Sequence, residues 1–116
     1  MKRSLVRTVA LVLALVVFAA PVGARERPRA PRGAETVTVK MRDNRFVPRS
    51  ITIPRGTIVR WVNRGNNIHT STSDRGLWNS GTLGTGDTFR RRFRQSGTFS
   101  YHCNIHPFMM GTITVT

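Results

Sequence analysis

Between Thr36 and Thr116, apolar side chains recur at every second position in short runs separated by turn residues. Val37, Val39 and Met41 alternate with Thr36, Thr38 and Lys40. Ile51 and Ile53 alternate ahead of the turn Pro54-Arg55-Gly56, and Val59 and Trp61 share one face of a strand over 58–63. Leu83 precedes the turn Gly84-Thr85-Gly86-Asp87; Phe89 and Phe93 then share a face of the next strand. Gly97 opens a strand with Phe99, Tyr101 and Cys103 on one side, and Ile113 and Val115 close the sequence. A period of two belongs to strands, because successive side chains leave opposite faces of the backbone. With neither an amphipathic helical period nor an internal repeat, the pattern predicts an all-β fold, a sandwich of short strands.

One residue breaks the alternation. Arg91 shares a face with Phe89 and Phe93, where a buried charge is costly. Either the strand bulges there or it lies at a sheet edge, where the long side chain reaches water. The sequence leaves both open.

Ahead of the strands, Lys2, Arg3 and Arg7 precede an apolar run from Val9 to Ala20, and Val22-Gly23-Ala24 supplies small residues. The run is shorter than the roughly 17–25 residues a membrane-spanning helix needs, so residues 1–24 are expected to be a secretory signal peptide cut after Ala24. The following 25–34 (RERPRAPRGA) holds no apolar side chain larger than Ala. It predicts a disordered basic arm, a solvated spacer with a possible second use in contact with anionic surfaces. The folded domain is expected over 35–116.

A domain this small has a limited core, and exported domains of this size often add disulfides. Cys103 is the single cysteine, so it can form no intramolecular bridge. A bound metal would give it a duty and add binding free energy to the fold. The surrounding residues agree. His106 and Met109 follow Cys103 at intervals of three, which brings a thiolate, an imidazole and a thioether into one short loop. Thiolate and thioether are soft ligands, and imidazole suits both copper oxidation states. A trigonal set with a weak axial Met requires one more imidazole, and His69 and His102 are the remaining histidines. Alternation turns His102 to the opposite face from Cys103. Zinc would also accept a Cys-His-His set, which keeps a colourless structural site within a cationic adhesion module as a competing reading. A cysteine-protease reading fails for want of a base with its own orienting partner.

Cys103-x-x-His106-Pro107-Phe108-Met109, followed by Gly111 and a β-branched strand, resembles the ligand loop of the cupredoxins, the type 1 (blue) copper proteins. Its His-x-x-Met spacing is similar to the short amicyanin-type loop. The resemblance extends to Phe46-x-Pro48, Gly56-x-x-x-Arg60-Trp61-x-Asn63, His69 and Ser80-Gly81-x-Leu83, about the last two-thirds of the chain. It implies a small Greek-key β-sandwich holding one copper ion on His69, Cys103, His106 and Met109. Spacing favours Met109 over Met110 as the axial ligand. The resemblance also implies a surface-placed His106 whose ring edge passes the electron. The residue after the first ligand His is often Asn in this family; here Thr70 stands there, which leaves the redox potential open.

The implied role is a one-electron carrier, not an enzyme, in a periplasmic or extracellular space. Copper delivery or sequestration is the alternative that uses the same residues. Of the 19 Lys and Arg, three precede residue 25 and four lie in the arm; the arm also takes one of the five acids, so the domain keeps twelve bases against four acids, a net charge of +8. Such a field steers encounter with an acidic redox partner, docking around His106, Pro107 and Phe108. Phe108 is equally compatible with ordinary packing. Nucleic acid is not expected as a partner, since stacked aromatic–basic motifs are lacking, and the protein is expected to be a monomer. Arg90-Arg91-Arg92 reads as a partly solvated strand face.

Overall fold

The computed structural model describes residues 10–17 and 35–116. Residues 10–17 carry no regular structure and are exposed. The remainder of the expected signal peptide, its cleavage position and the arm 25–34 lie outside the described residues.

Eight strands and no helix make up the described domain. They are β1 (Thr36–Arg42), β2 (Arg45–Val47), β3 (Ser50–Ile53), β4 (Ile58–Asn63), β5 (Thr72–Ser73), β6 (Thr88–Arg92), β7 (Gly97–His102) and β8 (Met110–Val115). Two four-stranded sheets result, ordered β2-β1-β4-β6 and β3-β8-β7-β5. The expected all-β sandwich is present. Two pairings are parallel, β1 with β4 and β3 with β8, and the other strand pairs are antiparallel. The chain changes sheets just after Phe46, so β2 and β3 end on opposite layers.

Alternation decides which side chains meet between the layers. Val39 and Met41 from β1, Val59 and Trp61 from β4, Phe99 and Tyr101 from β7, and Ile113 and Val115 from β8 are all buried in one core. Trp61 is its centre, within 5.5–6.4 Å (ring centroids) of Trp78, Phe89, Phe93 and Tyr101. Trp78, which follows no strand pattern, is buried in the same cluster and donates its indole N–H to Ser71 Oγ at 3.0 Å. Tyr101 faces Gly111 across β7 and β8. A Cβ at Gly111 would overlap the Tyr101 ring, so this position admits glycine alone without repacking.

The Arg91 question is answered by topology. β6 pairs with β4 in unbroken register from Ile58↔Arg92 to Val62↔Thr88, so there is no bulge. β6 is also one of the two edge strands of its sheet. The Arg91 guanidinium lies over Trp78 and Phe93, 4.9 and 4.6 Å from their ring centroids. The side chain roofs the aromatic core and keeps its charge in a cation–π contact.

Burial pushes the Tyr101 phenol up to about 12, against an ordinary value of 10.0. The folded state therefore holds this proton more tightly than the unfolded chain. The resulting stability is fully present below pH 10 and is lost as pH rises toward 12, about 3 kcal/mol in all. Tyr101 is the sole tyrosine, so phenolate absorbance reads it directly. The expected titration coincides with alkaline unfolding. Ionisation near pH 10 in a protein that stays folded would refute this account.

Candidate metal centre

The centre forms at one end of the sandwich, where β4 and β7 finish and β8 begins. Cys103 follows β7 directly and is fully buried. Its N–H donates to the Met109 carbonyl at 3.0 Å, and the Met109 N–H donates to the His106 carbonyl at 2.8 Å. These two bonds fold residues 103–109 into a closed turn and bring His106 back over the sulfur. His106 Nδ1 lies 3.8 Å from Cys103 Sγ.

His69 arrives on the loop that runs from β4 in one sheet to β5 in the other. Asn63, at the end of β4, is fully buried and clamps the loop that carries it. The Asn63 amide donates to the carbonyls of Asn67 (2.8 Å) and Leu83 (2.9 Å), and its oxygen accepts the Gly65 N–H at 2.9 Å. His69 itself exchanges two backbone hydrogen bonds with Leu83. Its ring is fully buried, with Nδ1 3.9 Å from Cys103 Sγ. The three donor atoms of His69, Cys103 and His106 lie within 4.8 Å of one another.

Thr70 ties the two loops together. Its N–H donates to Cys103 Sγ at 3.3 Å, and its hydroxyl accepts the Asn104 N–H at 2.9 Å. The hydroxyl thus serves the ligand turn directly. On the far side of His69, Nε2 meets the Asp43 carboxylate at 3.1 Å. A carboxylate can only accept, so Nε2 carries the proton and Nδ1 presents its lone pair toward the sulfur. The Asn66 and Asn67 N–H groups, together with His69, hold the Asp43 carboxyl below its ordinary value. Sequence reasoning did not single out Asp43. It lies 26 residues before His69, and nothing in local spacing announces the contact.

The remaining candidates separate cleanly. His102 points away from the sulfur, its two ring nitrogens facing Asp74 Oδ1 (2.5 Å) and Asn104 Oδ1 (3.0 Å). Met109 is buried, whereas Met110 is 48% exposed. Phe108 is 65% exposed beside His106, ring centroids 6.1 Å apart.

A soft sulfur and two imidazole nitrogens, brought together by loops that hydrogen bonds hold in place, suit a copper ion. The family model for a cupredoxin-like domain matches residues 8–115. The chain belongs to the cupredoxins. It is 29% identical over 100 residues to amicyanin from Paracoccus versutus, across 82% of this chain and 72% of that protein. Among solved structures, a purple cupredoxin from Nitrosopumilus maritimus superposes with a TM-score of 0.64 at 30% identity, covering 69% of this chain and 99% of that one. A copper-containing nitrite reductase from Thermus scotoductus gives a TM-score of 0.66 at 32% identity, but the match spans 70% of this cupredoxin and 22% of the reductase chain. Cupredoxins hold one type 1 copper ion, and His69, Cys103 and His106 form its candidate site in this member.

Proposed function

We propose that this cupredoxin is an exported one-electron carrier with its copper on His69, Cys103, His106 and Met109. The observation that carries the reading is a donor set fixed by backbone and side-chain hydrogen bonds from Thr70, Asn63 and the 103–109 turn. The bound ion would supply a Cu(I)/Cu(II) couple. The protein's part is to hold the donors still, so that little rearranges when the charge changes. Buried Met109 would supply a fourth, weak thioether donor. With all four donors supplied by the protein, the ion would keep no position for a substrate, and the proposed role is transfer and not turnover.

His106 is the way out for the electron. Its partly exposed ring sits among exposed Ile105, Phe108 and Met110, an apolar patch of the kind that marks contact sites. Both ion pairs among the described residues join a histidine to an aspartate. The arginines around the patch, Arg45 and Arg49 beside Phe108 and Met110, therefore keep their charge for an acidic redox partner. Export rests on the basic start, the apolar run and the small residues at 22–24, with 25–34 as a basic spacer before the domain.

Voltammetry of the copper-loaded protein tests the proposal. A reversible one-electron wave is expected, with electron transfer to an acidic redox protein slowing as salt rises. Rapid copper hand-over to an apo acceptor, combined with slow electron exchange, would replace it with copper delivery.

A further inference from the structure

Asp43 occupies a built notch. Its carboxylate accepts three hydrogen bonds, from Asn66 N–H (3.0 Å), Asn67 N–H (3.1 Å) and His69 Nε2 (3.1 Å). The notch exists because residue 65 is glycine: a Cβ there would overlap the Asp43 carboxylate. Asn44, immediately after Asp43, has φ +73°, a left-handed turn conformation that Asn tolerates better than most residues. Gly65 is itself held by Asn63. The residues that place His69 therefore also place the carboxylate behind it.

We propose that Asp43 is a positioning residue that fixes His69 in the Nε2–H tautomer and lowers the copper potential by favouring the oxidised ion. The inference rests on the copper-carrier reading above. A carboxylate behind a ligating imidazole makes the ring a stronger donor, and such partners are typically worth about 10–100-fold in metal affinity. Its negative charge also lies against the ring nitrogen opposite the one that faces Cys103 Sγ. Both effects favour Cu(II) more than Cu(I). The chain thus sets its potential partly from a residue on the β1–β2 turn, outside the two loops that supply the donors.

Three variants test this. Asp43→Asn keeps the shape and an acceptor oxygen but removes the charge. Asp43→Ala removes both, and Gly65→Ala displaces the carboxylate without changing it. Expected is a rise in potential in Asp43→Asn equivalent to about tenfold in the redox equilibrium, about 59 mV for one electron, and a larger rise in Asp43→Ala. Gly65→Ala should shift in the same direction. In the copper-free protein, nitrogen NMR should show His69 protonated at Nε2, with that preference lost in Asp43→Ala. An unchanged potential in all three variants overturns the proposal, as does an Nδ1-protonated His69 in the unsubstituted copper-free protein. If the unsubstituted protein shows no copper couple, the carrier reading falls and the potential claim with it. An unchanged potential beside a normal couple removes this proposal alone.

Discussion

Cys103→Ser should abolish the intense thiolate-to-copper visible band and broaden the copper hyperfine splitting in EPR. It should also weaken copper binding by more than a hundredfold. The bound is set by the about 10–100-fold that partners merely touching a ligand are worth; loss of the ligand itself exceeds it. The variant should still fold. Serine is similar in size, and Thr70 N–H, which now donates to Sγ, can donate to the hydroxyl instead. Burying that hydroxyl costs about 1–3 kcal/mol. Copper titration followed by absorption and EPR separates the two effects. Weak colour that survives the substitution would remove the type 1 assignment and favour a zinc or adhesion role.

The second large effect belongs to the core. Trp61→Ala should destabilise the copper-free domain by about 3–5 kcal/mol, the usual cost of truncating a fully buried aromatic. Against a total of about 5–15 kcal/mol for a natural domain, that is a large share of the stability. The reason is position. Trp61 joins both layers through Trp78, Phe89, Phe93 and Tyr101, and no single neighbour can close the space. Trp61→Phe should lose far less, because the indole N–H is buried without a hydrogen-bond partner and its removal leaves nothing unsatisfied. Urea midpoints of the copper-free variants decide the matter. Copper should recover part of the loss, since it binds the folded state. A cost in Trp61→Ala no greater than in Trp61→Phe would mean that the layers repack around the gap.

What could be read from the sequence followed from how local each signal is. Cys103, His106 and Met109 are spaced by three in one turn, so their convergence was visible before any tertiary structure. His69 lies on the separate β4–β5 loop; alternation and spacing could not bring it to the sulfur, and the resemblance to the cupredoxins supplied it. Asp43 had neither signal, because its contact depends on the space left by Gly65. Strands β2 and β5, three and two residues long, are too short for alternation to register, yet β2 carries Phe46 into the core. Arg91 was undecidable for another reason: whether its strand lies at an edge is a property of sheet order, which no run of residues encodes.

The arginines of β6 have a consequence for crowding. An edge strand offers unpaired backbone groups to any neighbour that can line up beside it, and copies of the same chain are the commonest neighbour. Here that rim is occupied by Arg90, Arg91 and Arg92. Two copies approaching rim to rim would set six like charges together. That edge is thereby guarded against strand pairing between copies, and the guard weakens in concentrated salt.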